Sequence, residues 1–177
     1  MTVGKTITFS LNPKSIDNAI KELERFKTDF EKKCVEFRRR VGERIQWSAA
    51  NGFKAAIVSD VISGPEPVND VSVEINHGDD VTVVFTNGSQ AVFIEFGAGV
   101  YYNGSPGDSP HPWGLEFGYG IGTYGHHRGT QDLWVYWADS EHTQKAWTHG
   151  TPAAMPMYRG VEEAVRALDE IAREVFG

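Results

Sequence analysis

Cysteine is nearly absent. The single Cys34 excludes an internal disulfide and any zinc site built from cysteines alone. No charged-then-apolar leader opens the chain, so no signal peptide is expected. No apolar run approaches the roughly 18 residues of a membrane span. Basic charge is in deficit, with 17 Lys and Arg against 24 Asp and Glu, a net charge of −7 and a pI near 5.3. No overall field therefore draws nucleic acid to this chain. There is no Gly-x-x-x-x-Gly-Lys-Ser/Thr phosphate loop, no Gly-x-Ser-x-Gly elbow and no nucleophilic Cys/His pair. Internal repeats, low-complexity tracts and domain boundaries are missing too, so residues 1–177 are expected to form one domain in a reducing cytoplasm.

What is present suits a packed core: 40% of residues are hydrophobic and 23% charged. Ile7, Phe9 and Leu11 alternate with polar residues and predict a short strand. A helix follows, with either Ser15 as its N-cap or Asn12 with Pro13 at the first helical position. Its apolar stripe runs through Ile16, Ile20, Leu23, Phe26, Phe30, Cys34, Phe37, Val41 and Ile45, with a mean step of about 3.6 residues. Cys34 reads as a small buried hydrophobe on that stripe. Such a helix would span about 45–50 Å, more than the roughly 40 Å width of a compact domain of this size. Either Gly42 breaks or bends it, or one end projects and packs between subunits, with Phe37, Val41 and Trp47 as the candidate interface.

From Val71 the period becomes two. Val71, Val73 and Ile75, then Val81, Val83 and Phe85, predict a hairpin around His77-Gly78-Asp79-Asp80. Ala91-Val-Phe-Ile-Glu-Phe96 reads as strand or short helix. Residues 97–130 hold ten of the nineteen glycines and only three charged side chains, Asp108, Glu116 and Arg128. Aromatics interrupt this loop at Tyr101, Tyr102, Trp113, Phe117, Tyr119 and Tyr124, so it is expected to pack rather than stay disordered. A strand over residues 133–137 follows. A last helix opens at Pro156, with Val161, Val165, Leu168, Ile171 and Val175 as its buried face. Strands between terminal helices give an α+β fold: a long N-terminal helix, an antiparallel sheet with the long loop inserted, and a C-terminal helix.

Several groups invite chemistry. His126, His127, Asp132 and His142 offer metal-ligand atoms, but adjacent histidines diverge in a strand, and loop histidines bonding backbone groups is the preferred reading. Gly120-Ile-Gly-Thr-Tyr-Gly125 matches the bare dinucleotide pattern without the strand before it or the helix after it. Glu95, Asp132, Asp139 and Glu141 lack a spacing that sets two carboxylates face to face. Arg38, Arg39, Arg40 and Arg44 could contact phosphate, though in a mixed-charge helix they read as a solvated or interface ridge.

Three segments, taken together in order, carry a resemblance: Phe93-Ile-Glu-Phe-Gly-Ala-Gly99, Gly125-His-His-Arg-Gly129 with Trp134-Val-Tyr136, and Ala146-Trp-Thr-His-Gly-Thr-Pro-Ala-Ala-Met-Pro-Met-Tyr158. They resemble the putative tail-component, or tail-completion, family of long-tailed bacteriophages. That family's Pro-x-x-Thr-Gly-x-Leu segment is absent here. The resemblance implies a ring-forming virion subunit of the neck or tail top, with no catalytic residue and no cofactor. It implies as partners further copies of itself and neighbouring neck and tail-tube proteins, with DNA passing through the lumen without sequence-specific contact. Glu95, Phe96, Gly97, Tyr101, Tyr102, Trp113 and Tyr124 then join Phe37, Val41 and Trp47 as expected interface residues. The alternatives are a carbohydrate- or cell-wall-binding module that uses the aromatic loop, and a metal-dependent hydrolase built on His126, His127 and Asp132.

Overall fold

The 3.6-residue repeat does form one helix, and it runs further than the sequence pattern predicts. The computed structural model describes residues 6–99, 109–114, 116–117 and 133–177. Helix α1 spans Pro13–Ala55, 43 residues, or about 64 Å. Of the two possible starts the chain uses Asn12, whose Oδ1 accepts the Ser15 N–H at 2.9 Å, with Pro13 in the first turn. Gly42 does not end the helix. It lets a hairpin close onto it, since a Cβ there would lie 2.5 Å from Thr82 Cγ2 and 2.9 Å from Ile75 Cδ1.

After α1 come β1 (Val61–Ser63), β2 (Ser72–His77), β3 (Thr82–Asn87), α2 (Ala91–Phe96), β4 (Ala98–Gly99), β5 (Trp134–Trp137), β6 (Lys145–Thr148), β7 (Gly150–Thr151), α3 (Pro156–Arg166) and α4 (Leu168–Phe176). The fold is α+β. Its strands make three small antiparallel sheets rather than one: β1-β6-β5, the hairpin β2-β3, and the two-residue pair β4-β7. The ambiguous stretch at 91–96 is helix. Phe53, Ala91 and Ile94 form the buried core where the C-terminal end of α1 meets α2, with Val58, Val71, Val73 and Met157 packed around it. No helix among the described residues is long and apolar enough to cross a membrane.

Three expectations change. Residues 6–12 form no strand, because no other strand among the described residues lies beside them, and Leu11 is left 93% exposed. The C-terminal helix is two helices meeting at Ala167, and its first half turns Val161 and Val165 outward. Its buried residues are Pro156, Gly160 and Ala164. The cause is close approach. A Cβ on Gly160 would meet the Ile45 carbonyl oxygen at 3.1 Å, and one on Gly52 would meet Pro156 Cβ at 2.7 Å. Two backbones this near select the smallest side chains for their contact face, whereas Ile171 and Val175 on α4 are buried as expected. Cys34, finally, is only half-buried.

The other half of α1 explains that half-burial. Phe176, at the end of α4, packs against Phe37 (ring centroids 5.9 Å) and Phe30 (5.8 Å). Beyond Phe30 toward the N-terminus, Ile16, Ile20 and Leu23 are exposed, Leu23 by 56%, so the stripe runs on past the elements that cover it.

Candidate functional site

Two of the motif segments, some fifty residues apart in sequence, meet at the entrance to α3. Asp70 holds the start of α2: its carboxylate accepts the Ser89 N–H at 2.8 Å and the Gln90 N–H at 3.3 Å. The bond from the Ser89 N–H is the largest of the effects that hold Asp70 below its ordinary carboxylate pKa. At the other end of α2, Gly97 takes φ 79°, a left-handed value that a side chain would strain. The chain then turns into β4, which pairs with β7 just before α3 (Ala98 with Thr151, Gly99 with Gly150).

Met155 precedes α3 at φ 54° and supplies no side-chain cap. Pro156 has no N–H, so the first unsatisfied donors are those of Met157 and Tyr158. Glu95 answers both from outside the helix. Its Oε2 accepts from Met157 N at 2.8 Å and its Oε1 from Tyr158 N at 2.9 Å. A negative charge at a helix N-terminus is also favoured by the helix dipole. Glu95 is 7% exposed and His111 4%. The Trp113 N–H donates to His111 Nδ1 at 3.1 Å, which leaves the hydrogen on Nε2 to be donated to Glu95 Oε1 at 3.2 Å. The His111 ring lies among Phe96 (4.4 Å), Tyr158 (5.3 Å) and Trp113 (5.8 Å).

Glu95, Phe96, Gly97 and Trp113, four of the expected interface residues, are therefore brought together around one helix terminus. Trp113 remains 52% exposed on the rim of that cluster. Phe37 and Val41 are half-buried and line an open groove with Val81, Val84, Val161 and Leu168. Trp47 faces out, with the Arg44 guanidinium 5.9 Å from its ring centroid. Tyr101, Tyr102, Tyr124, His126, His127, Asp132 and the Gly120–125 pattern lie outside the described residues. Of the other carboxylates, Asp139 is bonded to the Thr143 hydroxyl and accepts the Thr143 N–H at 2.8 Å and the Gln144 N–H at 3.1 Å. His142 packs on Trp137 with ring centroids 5.3 Å apart. His111 is the residue that sequence reasoning missed. A histidine between Pro110 and Pro112 in a Gly-rich stretch carries no local pattern that announces a buried partner.

The arginine ridge is internally paired. Arg39 bonds Glu36 at 2.7 Å and also Glu43; Arg40 bonds Glu36 at 2.7 Å and Glu174 at 2.6 Å; Arg44 bonds Glu163 at 2.7 Å. Arg38 instead donates to the Asp79 carbonyl at 2.6 Å. These contacts tie α1 to α3, α4 and the hairpin. Glu36, flanked first by Arg39 and then by Arg40, has its pKa lowered to about 2. Among the described residues no group of three or more His, Cys, Asp or Glu is placed to hold a metal ion. No family model, curated protein or solved structure matches this chain.

Proposed function

We propose that this chain is a structural subunit of the neck or tail top of a long-tailed phage, building a ring that completes the tail and helps join it to the DNA-filled head. The observation that carries the reading is the uncovered apolar stripe of α1, with Ile16, Ile20 and Leu23 exposed on a helix that outruns its own domain. Burying a large apolar side chain fully is worth about 1.5–3 kcal/mol, so a stripe of this kind favours association. The pairing of Arg39, Arg40 and Arg44 with acids of the same chain supports contact with protein rather than with phosphate. The subunit acts by geometry, through elements held at set angles such as α3 on Glu95, and performs no reaction. Light scattering on the purified protein, alone and with tail partners, should reveal a ring-sized species, and electron microscopy of intact virions should place the chain at the neck. A strict monomer under all of these conditions, or a virion lacking the chain, would refute the proposal.

A further inference from the structure

Residues 6–11 have the alternation of a strand but, among the described residues, no strand to pair with, and β3 has the complementary deficiency. Facing residues of an antiparallel pair alternate between bonded and non-bonded pairs. In the hairpin, Gly78 N donates to Val81 O at 2.8 Å, while the Val73 carbonyl turns away to accept Gln46 Nε2 at 3.1 Å. With Val73 opposite Thr86, Ile75 opposite Val84 and His77 opposite Thr82, these are the non-bonded pairs. Thr82, Val84 and Thr86 therefore direct their N–H and C=O groups away from β2, and no described residue takes them up. On the β2 edge, Gln46 of α1 already occupies the corresponding position at Val73.

We propose that residues 6–11 of one copy add as a third strand along the free edge of β3 in a neighbouring copy. This inference rests on the self-assembling reading above and specifies its contact. Length agrees: six residues meet the six of Thr82–Asn87, each about 20 Å long, with Ser10 exchanging its local bonds to Ser15 Oγ (2.9 Å) and Asn12 N (2.8 Å) for those of the added strand. Chemistry agrees as well. Ile7, Phe9 and Leu11 would lie on one face, as Val81, Val83 and Phe85 do on the exposed face of the hairpin. The segment is uncharged, and the chain between Lys54 and Arg128 has no Lys or Arg but nine Asp and Glu, so no like charges meet.

The acceptor must be another copy because the chain cannot reach itself. Arg38 marks the tip of its own hairpin through the bond to the Asp79 carbonyl. From there to Asn12 the helix runs 26 residues, about 39 Å, away from the hairpin. Six residues at full extension return only about 20 Å. A contact between different patches of two copies is heterologous, and repeated at a closing angle it makes a ring.

The test uses full-length protein at concentrations where light scattering shows self-association. Hydrogen exchange should show the Thr82, Val84 and Thr86 amides fast in dilute monomer and slow after association. Thr8→Pro removes a backbone donor that no described residue takes up, at an exposed position, so circular dichroism should be unchanged while association and that protection are both lost. Leu23→Asp serves as a second variant, aimed at the α1 stripe. If Leu23→Asp dissociates the assembly but Thr8→Pro leaves it intact with those amides still fast, the strand-addition model is overturned and the ring reading stands. If the wild-type protein never associates, both fall.

Discussion

The Glu95 carboxylate accepts a hydrogen bond from the backbone N–H of Tyr158, 2.9 Å away and 63 residues further along the chain. A helix whose own cap position holds an unhelpful Met155 is thus closed by a residue from another element. Removing that carboxylate strands two donors at a buried helix end. Glu95→Ala should cost about 2–3 kcal/mol of stability in a urea titration. Glu95→Gln, which keeps one acceptor oxygen but turns an NH2 group toward donors, should fall between Ala and wild type. Equal stability of all three proteins would show that the cap contributes nothing.

Gly52→Ala tests the close approach of α1 and α3. Helix propensity alone favours the change by about 1 kcal/mol. The new Cβ, however, would sit 2.7 Å from Pro156 Cβ, and overpacking of this kind costs about 1–3 kcal/mol. Net destabilisation is expected in thermal unfolding, with Asn51→Ala, on the exposed side of the same turn, close to neutral.

The outward turn of α3 separates two residues that the sequence pattern places on one face. Val165→Ala should change stability by no more than about 0.5 kcal/mol. Ile171→Ala, at a position 8% exposed, should cost about 2–4 kcal/mol. Comparable losses at the two positions would contradict the exposure of Val165 and the burial of Ile171.

Acid should weaken the pairing of Glu36 with Arg39 and Arg40 along α1. Its folded pKa of about 2 lies below the ordinary 4.5, held there chiefly by the hydrogen bond from Arg39. A depressed carboxylate stabilises the fold above its unfolded pKa, and that contribution disappears as pH falls from about 4.5 toward 2. Unfolding midpoints measured across this window should drop less in Glu36→Gln than in wild type. High salt should shrink the difference, because the group is exposed to solvent.

Much of the fold could be read before any coordinates. The 3.6-residue stripe, the alternation in the hairpin and Pro156 at a helix start depend on neighbours within a few residues, and each proved correct as local structure. What remained hidden was pairing at long range. Nothing near Glu95 names Met157, Tyr158 or His111 as partners, and nothing in Gly160 says that it faces Ala49 rather than a loop.

The sequence by itself therefore determined α1, the β2-β3 hairpin and the start of α3, because backbone preference and apolar periodicity are local properties, but it left Ala91–Phe96 open and misread residues 6–12. Tertiary structure alone decided which faces are buried. Val161 and Val165 lost the contact face of α3 to Gly160 and Ala164 because two backbones can approach closely only where side chains are small. The strand pattern at Ile7, Phe9 and Leu11 has no described strand beside it for a related reason: a strand needs an edge within reach, and a 43-residue helix carries this one away from the hairpin of its own subunit.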